Sequence, residues 1–422
     1  MSDRGFICAL LLCVSFAPGA LRAQEVSADT LHVRRISDED VRELIGHVLL
    51  TQEATRVRCD RALEYMRTGV FLLFGNVVVT DDTMTLRAPR GRYDRPGRLA
   101  EVFDRVELEQ GGTTLRAGYG EYFAGERRAF FRTRVVVVDS SSTVSADSLE
   151  YWRESRRSRA RGRVVVESPA DRLTIFGGLL DHDPVRLYSR MTLDPLMVQV
   201  DSAGAGRFDT LQVRGLVLEA FRDSSHRLIA RDSVTLVRGD LAARARYACY
   251  YTAADSIVLR RSPVIWYRDT QVAGDSIDVR LERRKIRTLA VNGSALAVSA
   301  GDSLHPGRFD QLAGDRLRML FGADGLSRTD VEGRGVSLYH LYDDTTANGL
   351  NRTSGDRIVI RFASGKAERI SVYGGVEGQY FPENMVRGRE AEYALPGFAW
   401  RSDRPRMSGA PAYPRGNTNG VP

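Results

Sequence analysis

Apolar residues recur along this chain at a fixed period of 29 residues. Val77, Val106, Val135 and Val164 are each separated by this step. The same step relates two further series, which are Leu86, Leu115, Val144 and Leu173, and Tyr93, Tyr122 and Tyr151. A fixed period of this length indicates one supersecondary unit stacked on copies of itself, each copy too small to bury its apolar face alone.

Within each copy, apolar residues alternate with polar ones, which is the periodicity of a half-buried β-strand. Polar turns such as Asp81-Asp82 and Gly111-Gly112 separate the alternating runs. Two strands of about eight to ten residues and two turns account for one period. The sequence therefore predicts an all-β stack of strand pairs.

A different pattern precedes the repeats. Val41, Leu44, Ile45, Val48 and Leu49 are spaced as one face of a helix, behind a candidate N-cap at Ser37. We therefore predict a short amphipathic helix over Asp38–Leu50, which would cover the first edge of the stack.

Five segments follow from these patterns. We assign 1–23 to a signal peptide, 24–56 to a lead with the short helix, 57–270 to repeats of about 29 residues, 271–395 to repeats of about 40 residues, and 396–422 to a disordered tail. The longer period rests on Val291, Val331 and Val372. The signal peptide rests on Arg4, the apolar run Phe6–Ala17 and the small residues before Gln24.

Removal of the signal would leave Cys59 and Cys249 as the cysteines of the mature chain. We expect buried thiols, with a disulfide between them left open. No histidine or cysteine spacing typical of a metal site occurs, so neither a metal nor a cofactor is expected.

The chain carries a formal net charge of +7, and its only lysines are Lys285 and Lys366. Arginine-rich basic charge in an exported protein suits anionic partners such as a phosphorylated glycolipid, and we expect no nucleic acid. The recurring Asp-Ser pairs at residues 147, 255, 275 and 302 fit turn and strand-entry positions. We expect no enzymatic activity.

The stretch from Gly75 to Asp94, with Gly75-Asn76-Val77-Val78-Val79 followed by Leu86-Arg87-Ala88, resembles the repeat of the OstA-like family of lipopolysaccharide-transport proteins. Copies around 144–151 and 161–166 resemble it as well, as do the C-terminal stretches 358–382 and 395–400. The resemblance implies a V-shaped β-jellyroll in the periplasm, whose apolar interior carries lipopolysaccharide toward the outer membrane. It also implies contacts with transport components of both membranes.

Under this reading, the inward-facing apolar residues line a lipid groove. The candidates are Phe71, Leu73, Val77, Val79, Leu86, Val102, Val106, Leu108, Leu115, Phe131, Val135, Val137, Val144, Val164, Val166 and Leu173. The sequence equally allows a closed core between two layers. The tyrosine series is typical of strand packing rather than of a lipid contact.

Two other functions suit the same pattern, an outer-membrane β-barrel and a surface repeat protein with a closed core. We favour the periplasmic bridge, with association with the outer membrane left open. Because one copy of the chain is short for such a bridge, we also expect copies to join end to end.

Overall fold

A computed structural model describes residues 25–413, except 37, 53–54, 81–83, 205–206, 283–284, 301–306, 323–324, 344–345 and 364–365. The predicted signal peptide lies outside the described residues. The chain divides into two compact units, Met1–Gln199 with Ala410–Pro422, and Val200–Gly409. Both units are built almost entirely of antiparallel strands, so the all-β prediction is confirmed.

The first unit stacks its strands in chain order. From β3 to β12 each strand pairs with the next, while β1 and β2 both pair with β3, and β13 and β14 both pair with β12. The strands are β1 Glu25–Ser27, β2 Thr30–Ile36, β3 Glu39–Gln52, β4 Thr55–Tyr65, β5 Val70–Thr80, β6 Met84–Asp94, β7 Leu99–Gln110, β8 Thr113–Phe123, β9 Arg128–Val138, β10 Thr143–Trp152, β11 Arg157–Ser168, β12 Leu173–Asp183, β13 Tyr188–Thr192 and β14 Leu196–Gly204.

The second unit uses shorter and then much longer strands. Short strands share the two halves of a longer neighbour, as β15 and β16 do on β17, and the last strands run uninterrupted from β23 to β26. The elements are β15 Arg207–Arg214, β16 Val217–Phe221, β17 Arg227–Arg238, β18 Leu241–Tyr251, β19 Ser256–Arg260, β20 Val264–Tyr267, β21 Thr270–Ala273, β22 Ser276–Glu282, β23 Lys285–Ala300, β24 Phe309–Gly322, β25 Gly325–Asp343, β26 Thr346–Ala363, β27 Lys366–Tyr373, β28 Glu377–Pro382, helix α1 Glu383–Val386 and a 3₁₀ turn Glu390–Tyr393.

Long strands in both units bend at mid-length. On alternate strands the bend carries two consecutive residues with positive φ and coincides with a register shift in the pairing, which is the geometry of a bulge that kinks a strand. In the first unit these pairs recur every 29 residues, at 46–47, 75–76, 104–105, 133–134 and 162–163. In the second unit they lie at 232–233, 261–262, 293–294, 333–334 and 374–375.

Most glycines at these bends are required because their φ is positive and because a Cβ would collide with an aspartate on a neighbouring strand. Gly75 has a φ of +70°, and a Cβ at this position would overlap with the carboxylate of Asp60 on the neighbouring strand. The same arrangement joins Gly162 to Asp147 and Gly333 to Asp315. An aspartate therefore fills the space that a side chain at the bend would occupy.

We call the two halves of the bent strands arm A and arm B. Among the described residues of the first unit, arm A ends at the connections 66–69, 95–98, 124–127, 153–156 and 184–187, and arm B ends at 111–112, 139–142 and 169–172. In the described part of the second unit, arm A ends at 222–226 and 252–255, and arm B ends at 239–240 and 268–269.

The core of each unit lies in the angle between its two arms. In the first unit, Leu44 and Phe71 of arm A share one buried cluster with Leu50 and Val77 of arm B. In the second unit, Leu289 and Leu317 of arm A share one with Ala297 and Leu312 of arm B. The inner faces of the arms therefore pack against each other, as in a jellyroll.

The helix predicted over Asp38–Leu50 is wrong, because these residues belong to β3. Val41 and Glu43 are buried on one side of the bend at Gly46-His47, and Val48 and Leu50 on the other. The bulge interrupts the alternation of period two, and the interrupted pattern imitates a helical one. Val48 is in fact the first member of the 29-residue valine series.

The described part of the predicted disordered tail, residues 396–413, has no regular secondary structure. It is nevertheless fixed by hydrogen bonds to side chains of the sheet, among them those that join Gln271 to the backbone of Ala399 and Arg401. Residues 414–422 lie outside the described part of the chain.

Candidate functional site

The predicted groove residues all lie on the inner faces of the first unit. Thirteen of the sixteen are buried, and Val79, Val102 and Leu173 are half-buried. They come from both arms, with Phe71, Leu73, Val102 and Phe131 in arm A and the others in arm B.

Arm B contributes an unbroken ladder of aliphatic side chains, one from each of eleven adjacent strands. Each member is the direct cross-strand neighbour of the next, in the order Leu50, Val57, Val79, Leu86, Leu108, Leu115, Val137, Val144, Val166, Ile175 and Met197. At the usual strand spacing the ladder is about 50 Å long. No polar side chain interrupts this strip, which we call the arm B ladder.

Arm A contributes a second ladder in which large and small residues alternate from Leu44 to Phe131. Its members, in cross-strand order, are Leu44, Ala62, Leu73, Gly91, Val102, Gly120, Phe131, Leu149, Ala160, Leu180 and Met191. A Cβ on Gly120 would lie 3.0 Å from the ring of Phe131 and 3.1 Å from Val102. Glycine therefore leaves room for its two large neighbours.

The tyrosine series forms a further row on the inner face of arm A, closer to the connections. Tyr93, Tyr122 and Tyr151 are separated along this row by Ala100 and Ala129. Burial raises the pKa of Tyr93. The row therefore lies between the ladder of arm A and the connections at the end of arm A.

Side chains of the two arms contact each other in the first unit, where Leu44 and Phe71 share a buried cluster with Leu50 and Val77. A cavity of about 30 Å³ lies among Val144, Leu149, Tyr151 and His182. A cavity of this volume holds water but is too small for an acyl chain.

The two arms end in opposite charge in the first unit. Among the described residues, the connections of arm A named above contain seven arginines and two glutamates, and those of arm B contain two aspartates, Asp139 and Asp171, and one arginine. Arg98, Arg127 and Arg156 hold equivalent positions, 29 residues apart. Arg127 is paired with Glu154 at 3.1 Å, and both side chains remain more than half exposed. We call the seven arginines in the connections of arm A the basic rim.

The Asp-Ser pairs take structural positions. Asp147 and Asp275 face the glycines of two bends, and Asp255 accepts a hydrogen bond of 2.9 Å from the hydroxyl of Tyr250. Asp302 lies outside the described residues. Asp147 and Asp275 therefore belong to bends, whereas Asp255 belongs to a connection of arm A.

Cys59 and Cys249 are both free and buried, and burial raises the pKa of Cys59 to about 11. Across the described ranges, no group of three or more histidine, cysteine, aspartate or glutamate side chains is placed to hold a metal ion. No helix among these residues has the length and apolar character needed to cross a membrane.

The N-terminal stretch of the chain matches the family model described as OstA-like protein, over residues 24–175. The matched region contains β1 to β11 and most of both ladders, including the copy around Gly46 and Val48 that sequence periodicity had missed. The repeated bend pairs would have revealed that copy, since Gly46 precedes Gly75 by one period.

Among solved structures, the chain is similar to LptH, the LptA homologous periplasmic component of the conserved lipopolysaccharide transport device from Pseudomonas aeruginosa. The identity is 18%, the match covers 28% of this chain and 82% of that chain, and the TM-score is 0.25. A score at this level carries no argument about this chain. No match was found among curated proteins.

Proposed function

We propose that this protein is a periplasmic lipid-binding bridge that carries lipopolysaccharide toward the outer membrane between its two arms. The observation that carries the proposal is the arm B ladder, which presents aliphatic side chains without interruption across eleven strands. An extended apolar strip of this kind suits acyl chains and offers no pocket for catalysis.

The energetics of such a strip favour transport over fixed binding. Shielding apolar surface from water is worth about 25 cal/mol per Å², and each acyl chain presents hundreds of Å². Because neighbouring rungs are chemically alike, a chain that moves along the ladder exchanges one set of contacts for an equivalent set. The cargo is therefore held without being trapped at one site.

Entry of the cargo requires the inner faces to part. Thirteen of the groove candidates are buried, and a cluster that includes Phe71 and Val77 joins the two arms, so acyl chains would replace contacts between side chains. This exchange of apolar contact for apolar contact keeps the cost of opening low once lipid is present.

The basic rim supports an anionic amphiphile as cargo. Arginine forms charge-assisted hydrogen bonds with phosphate, and most of these side chains end in solvent. With acyl chains between the arms, phosphates at the end of arm A would meet this rim rather than the acidic end of arm B.

The terminal strands support docking of neighbours, either transport components of the two membranes or second copies of this chain. Leu31 and Val33 on β2 are exposed, as are Tyr373 and Tyr380 on β27 and β28. Exposed apolar edge strands are ready to pair with another chain. If copies join through β2, Val33→Lys should lower the mass measured by light scattering, whereas Val185→Lys in an exposed connection should leave it unchanged.

The lipid site is tested by photo-crosslinking in cells at two adjacent valines. Val79 lies on the arm B ladder and Val78 on the opposite face of the same strand, and both are half-buried. A photoreactive residue at 79 should give lipopolysaccharide adducts, and one at 78 should give none.

A closed-core repeat protein is the second candidate, because the cavity of about 30 Å³ is too small for lipid as it stands. The same pair of variants separates the two functions. Absence of adducts at both positions, in protein that remains folded and exported, would favour the closed core.

A further inference from the structure

The outer face of arm B in the second unit carries a row of uncharged and mostly buried side chains, although an outer face is expected to be exposed and charged. Its side chains form a cross-strand row from β15 to β25, in the order Gln212, Val237, Ala242, Trp266, Gln271, Val298, Gln311 and Leu338. From Val237 to Leu338 every member is buried. We call this row the outer ladder.

The segment Leu395–Ser408, which we call the strap, covers this row. It crosses the strands instead of pairing with them, since its contacts pass from β24 through β21 and β20 to β15. Leu395 is buried against Leu338, and the ring of Trp400 lies 4.8 Å from that of Phe309. The outer ladder is therefore buried by the chain's own C-terminal segment.

Three glutamines of the outer ladder bind the backbone of the strap. Gln271 donates to the carbonyl of Ala399 at 2.7 Å and accepts from the N–H of Arg401 at 2.8 Å. Gln212 donates to the carbonyl of Ser408 at 2.8 Å and accepts from the N–H of the same residue at 3.0 Å. Gln311 accepts from the N–H of Leu395 at 2.8 Å.

Further hydrogen bonds between the strap and the sheet end on main-chain carbonyls, and an ion pair joins side chains. Trp266 donates from its indole to the carbonyl of Arg401 at 3.2 Å. Arg404 of the strap donates to the carbonyls of Arg268 and Asp240 at 2.8 and 2.7 Å, and Arg244 pairs with Asp403 at 2.9 Å. Side-chain amides that satisfy both groups of an extended backbone are a means of recognising polypeptide.

We propose that the outer ladder is a binding site for an extended polypeptide segment, and that the strap occupies it in cis. This site lies on the opposite face of the sheet from the core and is independent of the proposed lipid function. Because the strap makes no strand pairing and joins the unit at one end, the same segment supplied as a separate peptide should bind in its place.

The test uses the chain ended after Ala394 and a synthetic peptide of residues 395–408. With Trp152→Phe, Trp266 becomes the only tryptophan of the shortened chain, because Trp400 leaves with the strap. Loss of the strap should shift the emission of Trp266 to the red, and the peptide should reverse this shift saturably. A scrambled peptide serves as the control.

Gln271→Ala should weaken binding of the peptide about tenfold, since two net hydrogen bonds are lost. Gln379→Ala, at an exposed position on β28, should leave the affinity unchanged. A shortened chain that is folded by circular dichroism but keeps Trp266 buried, or ignores the peptide, would overturn the proposal.

If the shortened chain does not fold, the full chain gives the answer by limited trypsin digestion at Arg401 and Arg406 of the strap. Gln271→Ala combined with Gln212→Ala should speed cleavage at these sites several-fold, and Gln379→Ala should not. Equal cleavage rates in all three proteins would contradict the proposed site.

Discussion

The inner faces of both units are apolar and buried, whereas the outer faces of arm B differ between the two units. In the first unit, the outer row of arm B begins with Arg58, Val78, Arg87, Glu107 and Arg116, and charged pairs such as Arg116–Glu107 at 3.0 Å keep this part of the row in water. The last members of that row, Val165, Phe176 and Leu196, instead form a buried cluster. In the second unit, the equivalent face is the outer ladder, which the strap buries. The repeat thus specifies only the inner face and leaves the outer face free to acquire a separate role.

The inner face of the first unit should show the largest effect of substitution. Leu115 is fully buried in the arm B ladder. Leu115→Ala should lower the free energy of unfolding by about 2–5 kcal/mol, because the lost side chain leaves a cavity between the arms. Urea unfolding followed by circular dichroism measures the loss, and an effect below 1 kcal/mol would indicate that the arms are not packed together.

The contrast between the outer faces is tested by two matched valines. Val298 is fully buried on the outer ladder, and Val78 is half-buried on the outer face of the first unit. Val298→Ala should cost about 1–3 kcal/mol, as in a core, and Val78→Ala less than about 1 kcal/mol. Equal costs in urea unfolding would remove the distinction between a covered and an uncovered outer face.

The bends offer a comparison between copies of the repeat. Asp147 faces Gly162, whereas one period earlier Gly118 faces Thr133, so the small residue has changed sides. A Cβ on Gly118 would lie 2.9 Å from the Cβ of Thr133, and Gly118→Asp should therefore cost about 1–3 kcal/mol.

Adding Thr133→Gly to that variant recreates the Asp147–Gly162 pair and should recover most of the loss. Thermal unfolding of the single and double variants measures the recovery. A double variant no more stable than Gly118→Asp alone would show that the two positions do not compensate each other.

Much of this architecture could be predicted from the sequence, and the exceptions have physical causes. The 29-residue period located the inner residues of arm B, because burial on one face imposes strict alternation at Val77 and Leu115. The bend at Gly46-His47 broke that alternation and led to the incorrect helix. The strap was unpredictable because its composition has no period and its partners are distant, Gln212 being 196 residues from Ser408.

A buried acid in the second unit should respond to pH more than the exposed pairs of the first. Burial alone would raise the pKa of Asp330, but hydrogen bonds from Arg328 at 2.6 and 2.7 Å and from Arg357 at 2.8 Å outweigh it and hold the pKa below the ordinary 3.8. The carboxylate therefore contributes stability above about pH 3.8 that is lost as pH falls through its lower folded pKa.

Asp330→Asn should remove this contribution. The wild-type protein should lose stability more steeply than the variant as the pH is lowered below about 4, and the two curves should converge. Urea midpoints between pH 2 and 7 measure both curves, and parallel curves would mean that Asp330 is not held ionised by its two arginines.

The smallest effect is expected on the uncovered outer face. The side chain of Arg116 is 53% exposed and that of Glu107 is 34% exposed. Their attraction is screened by water and salt, so Arg116→Ala should change the free energy of unfolding by less than about 1 kcal/mol, and by less still at 1 M salt. Adjacent residues of one strand, Leu115 and Arg116, would then differ several-fold in cost. A loss at Arg116 as large as that at Leu115 would mean that this face is also covered by a partner, and the first unit would then resemble the second.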